Sequence, residues 1–124
     1  MNNKTILLCD DEKHMLRLLT FTLGKIGCKV ESVSDGEQAL ARVAQGGVDL
    51  LVIDVMMPGK DGFETVRELR RLKEGATMPV IILTARGAAT MRDEAGQLGV
   101  SHFVTKPFSP IQMQEQVKQL LVSS

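Results

Sequence analysis

The sequence predicts an α/β fold, an open, doubly wound parallel sheet of five strands with helices on both faces. Three observations predict it. Short apolar runs recur roughly every 20 to 30 residues, the pitch of a βα unit. Between them the apolar positions fall at helical spacing. The runs Ile6–Leu8, Leu50–Ile53 and Val80–Leu83 do not alternate with polar residues, which is the pattern of parallel strands buried on both faces.

The first candidate strand, Thr5–Cys9, leads into a stretch whose Met15, Leu16, Leu19, Leu23 and Ile26 share one helical face. Lys29–Val33 is followed by Ala39, Leu40 and Val43, and Leu50–Ile53 by Phe63, Val66 and Leu69. Val80–Leu83 precedes a fourth helical face of Ala88, Met91, Ala95 and Leu98, and His102–Thr105 a fifth of Met113, Val117, Leu120 and Leu121. Gly27, Gly46-Gly47, Gly75 and Gly99 follow the first four helical stretches, where left-handed backbone is expected. With right-handed crossovers, ligands of such a sheet bind outside the carboxyl ends of the strands, at the switch point.

Composition narrows the function. The chain has 124 residues, 15 Lys plus Arg against 15 Asp plus Glu, and 44% hydrophobic content, enough for one domain spanning residues 1–124. Zero formal charge, with no basic run longer than Arg70-Arg71, argues against direct nucleic-acid binding or a membrane-coating role. The apolar runs fall far short of a bilayer span, and Ile6–Cys9 is too short for a secretory signal, so a cytoplasmic protein is expected. Cys9 and Cys28 form no CxxC motif and have no nearby zinc-ligand pattern. In parallel neighbouring strands they would sit at opposite ends of the sheet, about 13 Å apart, and no disulfide is expected. Both read as buried thiols.

The strand ends carry the chemistry. Asp10 and Asp11 follow the first strand, Asp54 the third, Thr84 the fourth and Lys106 the fifth. Three carboxylates brought together repel unless a cation lies between them. An oxygen-only donor set favours Mg²⁺ over zinc, with Asp11 and Asp54 binding directly, Asp10 through water, and a backbone carbonyl filling in. Lys106 supplies a fixed positive charge and Thr84 a hydroxyl donor, the parts needed to hold the remaining oxygens of a phosphoryl group. A carboxylate can itself act as nucleophile and form an aspartyl phosphate. Asp10-Asp11-Glu12 would also suit the N-terminus of the first helix, where negative charge is favoured.

Four motifs in order now match a family. They are Leu7-Leu8-Cys9-Asp10-Asp11-Glu12; Ile53-Asp54-Val55-Met56-Met57-Pro58-Gly59 with Asp61-Gly62; Leu83-Thr84-Ala85; and Phe103-Val104-Thr105-Lys106-Pro107-Phe108. The chain resembles, over roughly its whole length, the response regulator receiver domain of two-component signal transduction. The resemblance implies the flavodoxin-like receiver fold, with strand order 2-1-3-4-5 and five helices. It implies Asp54 as phosphoacceptor and Mg²⁺ held by Asp10, Asp11, Asp54 and the Met56 carbonyl. Thr84 and Lys106 would bind phosphoryl oxygens. Phe103 stands where the family places an aromatic that turns inward with Thr84, although plain packing would also account for it. Met56, Ala85 and Arg86 would tune access to the acyl phosphate and its lifetime, and the Lys106-Pro107 bond is expected to be cis.

The implied partners are a sensor histidine kinase or phosphotransfer protein upstream and a protein contact downstream, through the fourth predicted helix, the fifth strand and the fifth predicted helix. His102 is expected on that face, and His14 in solvent. The implied role is a switch rather than an enzyme, with intrinsic Mg-dependent autophosphorylation and autodephosphorylation. A monomer is expected, with dimerisation on phosphorylation left open. The alternative is a receiver cut from a longer regulator with a DNA-binding or enzymatic output domain. Winged-helix members commonly carry an acidic pair before the switch aromatic, where this chain has Ser101-His102, and Pro110–Leu121 lacks arginines. A more remote alternative, a phosphatase using Asp54 as nucleophile, expects a second Asp where Met56 stands. A flavin carrier is disfavoured by the absence of Trp and Tyr.

Overall fold

The computed structural model describes residues 3–57, 59–84 and 96–123. Its five strands are β1 (Thr5–Cys9), β2 (Lys29–Val33), β3 (Leu50–Asp54), β4 (Val80–Thr84) and β5 (His102–Thr105). They form one parallel sheet in the order β2-β1-β3-β4-β5. Four α-helices lie among the described residues: α1 (Lys13–Gly24), α2 (Gly36–Ala44), α3 (Gly62–Leu69) and α4 (Pro110–Ser123). The fourth predicted helical face falls mostly outside the described residues, with Ala88, Met91 and Ala95; its last member, Leu98, packs on the core.

Alternate residues of each central strand feed opposite faces of the sheet, because side chains along a strand point alternately up and down. Leu7, Leu51, Ile53, Val80 and Ile82 meet Ala39 and Val43 of α2 and Phe63, Val66 and Leu69 of α3. Ile6, Leu8, Leu50, Val52, Ile81 and Leu83 meet Leu19 and Leu23 of α1 and Met113, Val117 and Leu121 of α4. Two cores explain why β1, β3 and β4 have no polar alternation: neither face is wet. β2 and β5 are the edges, and both remain partly exposed.

Left-handed backbone occurs at Gly27, Gly46, Gly47 and Gly99, as the helix ends require. Gly75 differs. It lies in a short 3-10 turn, Lys73–Gly75, where any side chain would run into the Leu69 carbonyl and side chain. Close packing rather than backbone handedness selects glycine there. Cys9 and Cys28 are both buried and free, at opposite ends of the β1/β2 ladder that pairs Cys9 with Val33 and Thr5 with Lys29.

Candidate functional site

Two strands run one residue further than the apolar runs suggest, and this fixes two of the reactive groups in the sheet. Asp54 is the last residue of β3, paired with Leu83, and Thr84 the last of β4, paired with Thr105. Asp10 lies just past β1, its N–H donating to the Val33 carbonyl at 3.2 Å. Lys106 lies just past β5, its N–H donating to the Thr84 carbonyl at 2.6 Å. Ladder bonds therefore position all four. Asp10, Asp54 and Thr84 are buried, whereas Asp11 is exposed.

Asp10, Asp11 and Asp54 each offer an oxygen within 4.8 Å of the others. The Lys106 ammonium reaches between two of them, 3.2 Å from Asp10 Oδ2 and 3.3 Å from Asp54 Oδ2. Burial, reinforced by the Asp10 charge, holds the Asp54 carboxyl above the usual carboxylate range; Lys106 and the Met56 N–H pull against that rise. At Lys106 burial acts to lower the pKa, but Asp10 and Asp54 together outweigh it and leave the ammonium more firmly protonated. One monocation thus faces a set of three carboxylates. Such an excess of hard oxygen donors suits a divalent cation such as Mg²⁺.

The second oxygen of each buried carboxylate is held by backbone. Glu12 N–H donates to Asp10 Oδ1 at 3.0 Å, and Met56 N–H to Asp54 Oδ1 at 3.2 Å. Glu12 occupies the N-cap position of α1 without a side-chain cap bond, and the first turn has no acidic residue. Asp10 joins the helix start to the site: Oδ1 accepts from Glu12 N–H, and Oδ2 faces the Lys106 ammonium.

Met56 itself is exposed, while Met57 is buried, its sulfur 3.6 Å from Cys9 Sγ. Burial, with the charges of Asp35, Asp10, Asp54 and Asp11 adding to it, pushes the Cys9 thiol up to about 12. That thiol stays protonated and donates to the Asp35 carbonyl. Phe103 is partly buried and packs against the α2/α3 side of the core. The Lys106-Pro107 peptide bond is cis. His14 is exposed and His102 half-buried. Ala85 and Arg86 lie outside the described residues.

Three supports were not evident from the residues alone. Gly62 opens α3 so close under Asp54 that a Cβ would lie 2.5 Å from the Asp54 carbonyl oxygen and 2.9 Å from Val55 Cα. Lys60, in the loop after β3, forms ion pairs with Glu37 of α2 and Glu68 of α3 and so ties down that loop. Arg70, at the C-terminus of α3, donates to the carbonyls of Gly75, Met78, Leu98 and Gly99 at 2.7–3.0 Å. The glycine had a sequence signal in the Asp61-Gly62 motif; the two cations had none.

Comparison with known proteins agrees with this geometry. Residues 6–118 match the response regulator receiver domain family. The chain is 39% identical over 119 residues to the alkaline phosphatase synthesis transcriptional regulatory protein PhoP of Bacillus subtilis, covering 96% of this chain and 49% of that protein. It spans about half the length of the curated relatives it matches. Chemotaxis protein CheY4 of Vibrio cholerae superposes with a TM-score of 0.90 at 28% identity, over 95% of this chain and 98% of that one. The receiver domain of sensor histidine kinase PA1611 from Pseudomonas aeruginosa, solved with magnesium coordinated in its active-site cleft, superposes with a TM-score of 0.88 at 28% identity, covering 97% and 98% of the two chains. No helix among the described residues is long and apolar enough to cross a membrane. With the family matched across most of its length and the fold shared with solved receivers, the chain belongs to the response regulator receiver domains of two-component systems.

Proposed function

We propose that this domain accepts a phosphoryl group on Asp54 from the phosphohistidine of a sensor histidine kinase or phosphotransfer protein, in a Mg²⁺-dependent reaction in the cytoplasm. The observation that carries the reading is the pair of buried carboxylates, Asp10 and Asp54, bridged by Lys106 at 3.2 and 3.3 Å beside the exposed Asp11. Burial here costs stability that a purely structural role would not require.

Asp10, Asp11 and Asp54, with the Met56 carbonyl, would hold Mg²⁺, whose charge when bound offsets that of the carboxylates and of the incoming phosphoryl oxygens. Asp54 is the nucleophile: an oxygen of its carboxylate forms a bond to phosphorus as the P–N bond to the donor imidazole breaks. A cation beside it favours the ionised, nucleophilic form against the upward push of burial. Lys106, already poised over Asp54 Oδ2, would pair with a phosphoryl oxygen, and the buried Thr84 hydroxyl would donate to another. Movement of Thr84 would let the partly buried Phe103 turn inward and alter the surface of β5 and α4. That surface would control a partner protein or an output domain; relatives named as transcriptional regulators favour an attached output domain.

Intact mass after incubation with a small acyl phosphate tests the reading. One phosphoryl group that needs both Mg²⁺ and Asp54 is the expected result. Equal modification of Asp54→Asn would move the acceptor elsewhere. Thr84→Ala and Lys106→Ala should still accept some phosphoryl group but fail to change partner binding; full partner response in both would refute the switch.

A further inference from the structure

We infer that Met56 is a site of reversible thioether oxidation that shortens the lifetime of the acyl phosphate, an inference that rests on Asp54 being the phosphoacceptor. The described methionines differ sharply in access: Met56 is 66% exposed, against 7% for Met57, 6% for Met78 and 1% for Met113. Met15 is half-covered where it packs against the α1/α4 core. The adjacent pair gives an internal contrast, because Met57 faces Cys9 in the interior while Met56 faces solvent. The exposed member is also the one tied to the reaction centre. Its N–H donates to Asp54 Oδ1 at 3.2 Å, so its side chain grows from a point held beside the acceptor.

The step needs hydrogen peroxide as the oxidant. The sulfur lone pair attacks the outer peroxide oxygen, an S–O bond forms as the O–O bond breaks, and the departing oxygen leaves as water after proton transfer. Sulfur loses two electrons and the peroxide gains them. The product sulfoxide is polar and is returned to the thioether by methionine sulfoxide reductases. An apolar rim beside the acyl phosphate thereby becomes a strong hydrogen-bond acceptor, which orders a water molecule and turns its oxygen toward phosphorus. One added hydrogen bond of ordinary strength corresponds to roughly a two- to tenfold faster hydrolysis.

The test treats the whole chain with limiting hydrogen peroxide, maps the added oxygen by peptide mass, and follows loss of the phosphoryl group by intact mass. Expected are oxidation at Met56 before Met57, Met78 or Met113, hydrolysis faster by the stated factor, and recovery after reductase treatment. Met56→Leu should lose the peroxide response, whatever its own basal lifetime. Prior oxidation of a buried methionine, or an unchanged lifetime with Met56 fully oxidised, overturns the inference and leaves the phosphoacceptor reading intact. Failure of the untreated chain to take up a phosphoryl group on Asp54 overturns both.

Discussion

Replacing Lys106 with Met keeps the aliphatic stem and removes the cation between two buried carboxylates. Side-chain exposure is 15% for Lys106, 1% for Asp10 and 7% for Asp54, so little water is available to take over its role. Removing one partner of a buried charge pair costs about 3–5 kcal/mol. Asp11 leaves one side of the site open to solvent, and about 2–3 kcal/mol is the expected loss at neutral pH without divalent cation. In urea this lowers the unfolding midpoint by about 1–1.5 M for a slope of about 2 kcal/mol per molar.

The pH dependence carries the diagnosis. In the parent, the raised Asp54 pKa means that the metal-free fold loses stability as pH rises through the folded value. The raised Lys106 pKa contributes stability that is complete below the unfolded lysine value of 10.5 and is lost only as pH rises through the folded one. At neutral pH it is therefore fully in force. Without the ammonium, Asp54 rises further, so the deficit of Lys106→Met is full above that pKa and shrinks as acid protonates Asp54. Added Mg²⁺ should also restore the variant, and stabilise it more than the parent, because no ammonium competes for the gap. Urea titrations from pH about 4 to about 8, with chelator and with Mg²⁺, measure this. A deficit independent of both pH and magnesium would refute the electrostatic account and leave only stem packing.

Gly62→Ala should destabilise by about 1–3 kcal/mol in thermal melts, since the new methyl meets the backbone of Asp54 and Val55 rather than a yielding side chain. A neutral result would show that α3 can retreat from the end of β3 at no cost. Arg70→Ala should cost about 2–4 kcal/mol, well below the simple sum of four charge-assisted bonds, because water replaces part of what a half-buried guanidinium provides. Arg70→Lys should recover little, as one ammonium cannot span the Gly75/Met78 and Leu98/Gly99 carbonyls; full recovery would mean that charge alone matters. Asp61→Ala removes the acceptor of Glu64 N–H at 2.9 Å and should cost about 1 kcal/mol, read as a lower urea midpoint.

The sequence by itself determined the layers of this protein and which polar residues stand at the strand ends. Apolar runs without alternation could be buried only as central parallel strands, and each of those runs ends on or beside a reactive residue: Asp10, Asp54 or Thr84. Topology then gathers them at one sheet edge. Lys106 was legible in the same way, as the residue after the last strand. Tertiary structure decided what those residues do to one another. That Lys106 bridges Asp10, 96 positions away, depends on side-chain reach across four strand ends. Asp10 joins that ammonium to the start of α1, where it also accepts from Glu12 N–H. Gly75 read as a left-handed helix end and Gly62 as part of a motif, yet at both a Cβ would collide with backbone or side-chain atoms brought close by folding. Arg70 and Lys60 fall in no sequence pattern, and each ties together segments that meet only after folding. Periodicity and strand ends are properties of the local chain, whereas the partner of a long cation is a property of the packed whole.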